Sequence, residues 1–186
     1  LELPEAEAEL DDVEPMLPDW PASQALARRL LPVLRGQEED ASEASALWAL
    51  ARAGGEYPAG RLGEGALERE LGSLCTFARR RRQLQAEPAL PPHVARVEAC
   101  LDGETWTLSA AFTDLRSDGL LFARYDDTRA ADCLGAWLAH LLLCADPAPG
   151  VTARTRGLSR DGGFGFRPLA RAQARAELHA LLALYR

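Results

Sequence analysis

Three kinds of side chain in this sequence could do chemistry. Asp114, Asp126 and Asp127 stand where apolar runs end, a placement from which converging oxygens could hold a hard divalent cation; acids of surface turns are the ordinary alternative. His140 and Cys144 are one helical turn apart, and Cys133 lies eleven residues before Cys144, so all three approach one face. Zinc would need a fourth ligand and a polar opening, whereas their neighbours are Leu and Trp, so these residues are expected in packed core. The arginines Arg79, Arg80, Arg81, Arg82, Arg154, Arg156 and Arg160 could grip phosphate or carboxylate bidentately. No Ser, His and Asp grouping has a nucleophile elbow, and His93 and His179 stand alone. No catalytic residue and no metal ligand is assigned.

The residue types that are missing narrow the chemistry further. The sequence contains no Lys, Asn or Ile, so each of its 21 cationic residues is Arg, a bias expected of a genome rich in G and C. No amine exists for Schiff-base formation, phosphate-loop binding or a nuclease lysine, and a guanidinium cannot substitute by losing its proton. The glycine-rich stretch Tyr57 to Gly65 lacks the Gly-Lys-Ser/Thr ending of a phosphate loop and follows no strand, so it reads as a turn. The four cysteines show no Cys-x-x-Cys spacing, which points to reduced thiols and a cytoplasmic setting.

The net charge of -7 is unevenly spread. Leu1 to Asp19 holds eight acids and no base, and Glu38, Glu39, Asp40 and Glu43 add four more. The other 16 acids meet all 21 arginines, and seven arginines after Gly150 face only Asp161 and Glu177. An acidic total therefore does not exclude nucleic acid beside the body of the chain. No run approaches the roughly 18 apolar residues of a membrane span, and no secretory signal opens the sequence. A start at Leu1 without Met and an end at Arg186 without a helix cap predict a piece of a longer chain.

Several elements must position these residues. Residues 1–19 read as an acidic linker or entry segment, and 20–186 as a single domain, helical over 20–86 with sheet and helices over 92–186. Asp19, Trp20 and Pro21 start a helix with Leu26, Leu30, Val33 and Leu34 in a stripe, which Pro32 should kink or end. A second helix should open on a capping box at Asp40 and Glu43 and stop at Gly54 and Gly55, burying Leu47, Trp48 and Leu50. A third, from Glu64 to about Gln85, aligns Leu67, Leu71, Leu74 and Ala78. Arg79 to Arg82 then fan around roughly 300° of its axis, because each residue turns about 100°. Either that end is solvated and locally paired, or some of the guanidinium groups face DNA or a partner.

After the Pro-rich break at Glu87 to Pro92, three strands are expected in a meander: His93 to Leu101, Glu104 to Phe112 and Gly119 to Tyr125. Asp102-Gly103 and Ser117-Asp118-Gly119 mark the turns. The helix from Arg129 to Cys144 is apolar almost all round and should be buried on most sides. Val151 to Ser159 and Phe164 to Phe166 form a hairpin through Asp161-Gly162-Gly163. A last helix from Pro168 aligns Leu178, Leu181, Leu182 and Tyr185.

Helices, a strand meander and a buried helix follow the order of a restriction-endonuclease-like (PD-(D/E)XK-type) core, an α/β (α+β) fold. In that fold strand carboxylates and a lysine hold Mg²⁺ and position water. Here the corresponding positions read Ser109, Ala110, Ala111 and Phe122, Ala123, Arg124, so the catalytic residues are lost.

Ordered blocks carry a closer likeness. Glu14-Pro15, Tyr57-Pro58-Ala59-Gly60-Arg61-Leu62-Gly63, Asp118-Gly119-Leu120-Leu121, Trp137-Leu138-x-His140-Leu141-x-x-Cys144-Ala145 and Phe166-x-Pro168-Leu169 span nearly the whole sequence. In them the chain resembles the C-terminal domain of RecC, the gamma subunit of exodeoxyribonuclease V, the bacterial RecBCD helicase-nuclease. The resemblance implies an inactive nuclease-like domain with no cofactor of its own. It also implies a scaffold that contacts RecB-like and RecD-like subunits and helps to part duplex DNA ends in double-strand-break repair and homologous recombination. An active metal nuclease of the same fold and a protein-only adaptor are the competing readings.

Overall fold

The computed structural model describes residues 19–34 and 41–185, which form five helices and two small sheets in a mixed α/β arrangement. The acidic segment before Asp19 and the Asp40 half of the expected capping box lie outside the described residues. The chain divides into two compact units, Leu1–Leu74 and Cys75–Arg186.

The first unit is helical. Helix α1 (Trp20–Leu34) is capped by Asp19, whose carboxylate accepts the Ala22 amide at 3.0 Å. Its inward stripe is Ser23, Leu26, Ala27, Leu30 and Leu34, and Val33 falls outside it. Pro32 sits in the last described turn, where its missing amide removes a single backbone bond. Helix α2 (Ala41–Ala53) buries Leu47 and Ala51, while Leu50 is exposed, contrary to expectation; Leu50 and Leu47 are three positions apart, but Ala51 takes the inward place. Arg29 joins the two helices, donating to the carbonyls of Leu50 and Ala51 and to both oxygens of Glu56. Helix α3 (Arg61–Leu84) begins at Arg61, three residues before the sequence suggests, because Gly60 at φ 92° lets the chain turn directly into it. Gly63 is required there: a Cβ would lie 1.8 Å from the Pro58 carbonyl oxygen.

The second unit starts with the end of α3 and carries all six strands. β1 (His93–Leu101) and β2 (Glu104–Phe112) form the expected hairpin, with Asp102 (φ 51°) and Gly103 (φ 85°) supplying the positive dihedrals of a tight turn. The third strand of the anticipated meander does not join them. After β2 the chain makes a short hairpin of β3 (Leu115–Arg116) and β4 (Gly119–Ala123), and β4 pairs in parallel with β5 (Thr155–Leu158), which pairs with β6 (Gly163–Phe166). The second sheet therefore runs β3-β4-β5-β6, and the first is a separate two-stranded ribbon. β4 stops at Ala123 because Tyr125 turns inward, its ring edge-on to Phe77 at 5.2 Å between centroids.

Helix α4 (Ala130–Ala145) connects the parallel strands β4 and β5 and packs against β1, β5 and helix α5 (Arg171–Tyr185). Its last turns, Leu141 to Ala145, are buried, and Leu141 and Leu143 are fully so, each stabilising by about 1.5–3 kcal/mol. Its first turns bury only one side: Ala136 is buried but Leu134 and Leu138 are exposed, so the expectation of burial on most sides holds only for the second half. On α5, Ala174, Leu178 and Leu182 face the core, whereas Tyr185 is 85% exposed instead of aligned with them.

Candidate functional site

The parallel pair β4–β5 ends beside the first turn of α4, and there the chain forms a cleft of ≈ 300 Å³. Ligands of open α/β sheets favour this location, outside the carboxyl ends of parallel strands. Phe122, Gly135, Ala136, Leu158 and Phe164 give it an apolar lining, and Arg124, Asp126, Thr128, Asp132 and Ser159 add polar groups. Gly157 makes room for the Phe164 ring, which would lie 2.2 Å from a Cβ at that position.

Asp126 is the pivot of the polar side. Expected as a surface turn acid, it is 3% exposed. Its Oδ2 accepts from Arg124 and, at 2.7 Å, from Arg129, and its Oδ1 accepts the Asp127 amide at 2.9 Å. Arg124 also donates to Asp132 at 2.8 Å, so one guanidinium bridges two carboxylates. These contacts, with Asp126 first among them, hold the Arg124 guanidinium even more firmly protonated than usual. Asp132 closes the α4 terminus by accepting the Arg129 amide at 3.2 Å. Nearby, the hydroxyls of Ser159 and Thr128 and the Thr128 amide keep Asp161 below the ordinary carboxylate range. Asp126 and Asp132 are thus neutralised from within the protein, by arginine. A metal would have to displace a guanidinium to reach Asp126. Among the described residues, no group of three or more His, Cys, Asp or Glu side chains is arranged to hold a metal ion.

The carboxylates of the other acids named from the sequence bond outside this cluster. Asp114 is exposed and accepts from Gln85 at 2.9 Å and Arg116 at 3.4 Å. Asp127 pairs with Arg160 at 2.8 Å. His140 and Cys144 are core: His140 is fully buried, Nε2 faces the Arg167 carbonyl at 3.0 Å and Nδ1 faces the Thr155 hydroxyl at 3.1 Å. Because a carbonyl only accepts, Nε2 carries the proton and Thr155 donates to Nδ1. Burial pushes the His140 pKa down and the Cys144 thiol up. Cys133 has no place in that network. His93 and His179 are tied to backbone carbonyls, at Asp146 and Cys100.

The seven candidate arginines differ in exposure and in what they bond. Arg156 donates to the Leu84 carbonyl at 3.0 Å and to Asp118, fastening the end of α3 to the β3–β4 turn. Arg160 is engaged by Asp127. Arg79, Arg80 and Arg154 are exposed, and Arg81 and Arg82 are half-buried. The residue types at Arg124-x-Asp126-x-x-Arg129-x-x-Asp132 were the signal for the bridged cluster: alternating charges spaced at two and three residues across a strand end and a helix start. Arg129 was not singled out, because its role depends on how deeply Asp126 is buried.

Comparison with curated proteins gives no match. The family model of the RecC C-terminal domain matches residues 1–186, so the chain belongs to the RecC C-terminal domain family and has a role related to the RecBCD helicase-nuclease and DNA repair.

Proposed function

We propose that this domain is a non-catalytic scaffold of a RecBCD-type complex, with a nuclease-like core that has lost its catalytic residues, contacting RecB-like and RecD-like subunits and guiding duplex DNA ends toward separation. The observation that carries the reading is the Arg124 bridge. A nuclease needs carboxylates open to Mg²⁺, and here Asp126 and Asp132 share an internal cation. The parallel pair β4–β5 joined through α4 supports a restriction-endonuclease-like ancestry. No described helix is long and apolar enough to cross a membrane. For DNA contact, the exposed Arg80 and Arg154 are better candidates than Arg156 and Arg160, whose guanidinium groups serve internal ties.

The test is cleavage. The purified protein, given Mg²⁺ or Mn²⁺ and linear duplex DNA, is expected to leave the DNA intact. Metal-dependent cutting that disappears in Asp126→Asn or Asp114→Asn would overturn the scaffold reading.

A further inference from the structure

The β1–β2 ribbon has two edges, and the chain treats them differently. In a hairpin whose two-residue turn is Asp102-Gly103, Leu101 and Glu104 form a hydrogen-bonded pair, so bonded and non-bonded pairs alternate from there. The non-bonded pairs are Cys100 with Thr105, Glu98 with Thr107, Arg96 with Ser109 and Val94 with Ala111. Backbone amides and carbonyls of these residues point away from the partner strand.

On the β1 side this edge is covered. The Arg96 amide donates to the Asp146 carboxylate at the end of α4 at 2.9 Å, and the Cys100 carbonyl faces Nε2 of His179 on α5 at 3.0 Å. Both bonds confirm the parity of the ladder. On the β2 side, Thr105, Thr107, Ser109 and Ala111 are exposed, and none of their eight outward backbone groups has a partner among the described residues.

Open edges of this length are normally blunted by Lys, Pro, a bulge or an inward charge. β2 has none of these between Thr105 and Phe112: its outward residues are small and neutral, and its register with β1 is continuous over nine pairs.

We propose that the outer edge of β2 receives an extended segment of a partner polypeptide as a third strand. Strand addition uses main-chain bonds for affinity and alternating side chains for selection. The segment that fits alternates, with apolar residues beside Trp106, Leu108 and Ala110 and polar residues beside Thr107 and Ser109. It is free of Pro along the paired stretch and basic overall, since the ribbon His93–Phe112 carries Glu98, Asp102 and Glu104 against Arg96 alone. The same local charge opposes the ribbon of a second copy as the occupant, because like-charged ribbons repel. The inference rests on the scaffold reading and makes one of its partner contacts specific.

Hydrogen exchange on the protein carrying this chain, alone and assembled with its partner subunits, tests it. The amides of Thr105, Thr107, Ser109 and Ala111 are expected to exchange at least about tenfold more slowly on assembly, while those of Trp106, Leu108 and Ala110, bonded to β1, are protected in both states. Ser109→Pro removes an outward amide without touching the β1 ladder, as edge strands tolerate. It is expected to keep the far-ultraviolet circular dichroism spectrum and to weaken assembly about tenfold. Unchanged exchange of the four amides in a complex that assembles normally overturns the added strand and leaves the scaffold reading standing. Protection that rises with the concentration of the protein alone, together with a doubled mass by light scattering, assigns the edge to a second copy and overturns it too. Cutting of DNA by the domain would sink the scaffold reading and leave the exchange result intact.

Discussion

Replacing His140 by Leu tests the core of the second unit, and its size follows from what the imidazole touches. The ring is fully buried between Trp137 and Phe166, with centroids 5.5 Å from each, so a Leu keeps much of the apolar contact. Two partners are orphaned: the Thr155 hydroxyl, itself fully buried, and the Arg167 carbonyl. An unsatisfied buried group costs about 1–3 kcal/mol. Two such groups cost about 2–6 kcal/mol, and allowing roughly 1 kcal/mol back for the apolar replacement leaves a net loss of about 1–5 kcal/mol, or about 2–20 °C in Tm for a chain of this size. Urea unfolding followed by circular dichroism measures it. If orphaning is the cause, adding Thr155→Val removes one stranded hydroxyl, and the double variant is less destabilised than the sum of the singles by about 1 kcal/mol. The pH dependence has a definite sign. Burial lowers the His140 pKa in the folded state, so the unfolded chain binds the proton more readily. Stability from this residue is then fully present above the ordinary value near 6.5 and falls as pH drops toward the folded pKa, by at most about 1.4 kcal/mol per pH unit. His140→Leu flattens that limb. Strict additivity of the two substitutions, or an acid limb that the Leu variant leaves unchanged, would refute the reasoning.

Two further comparisons separate structural arginines and glycines from exposed ones. Arg156→Ala strands Asp118 and the Leu84 carbonyl and is expected to cost about 1–3 kcal/mol by urea unfolding, whereas the exposed Arg154→Ala stays within about 0.5 kcal/mol. Gly119→Ala places a Cβ 2.0 Å from the Arg154 carbonyl oxygen at φ 116°, so it should lose more than about 2 kcal/mol. Gly72→Ala, inside α3 with nothing within 4 Å, should gain about 0.5–1 kcal/mol by the same measurement.

Local patterns in the sequence were enough to place the hairpin, the turns and the helices to within a few residues, because Asp102-Gly103, Asp161-Gly162-Gly163 and the Leu67–Leu71–Leu74 stripe each act within one element. Sheet membership was not legible. The apolar run from Gly119 suits a strand beside β2 as well as one beside β5, and nothing in its period distinguishes them. The choice is made by long-range pairing: Leu120 to Ala123 find Thr155 to Leu158 across α4. Likewise, Leu134 and Tyr185 satisfy a helical stripe as well as their buried neighbours do, and only the packed structure shows which side of the helix has a surface to meet.

The candidate site divides along the same line. The absence of a lysine was readable from residue type alone, since no packing can supply one that the chain lacks. How the acids are paired was not readable, because a sequence position does not reveal burial: Asp126 and Asp127 are adjacent and chemically identical, yet one is enclosed by two guanidinium groups and the other faces solvent beside Arg160. An arginine near a carboxylate is ordinarily worth little at a surface. At Asp126 the carboxylate is withdrawn from water, and removing a cation leaves a buried charge unbalanced, which is far costlier than losing an exposed pair. The pairing of both Arg124 and Arg129 with one acid is therefore a structural requirement of burying Asp126, and the cleft beside it presents a mainly apolar lining.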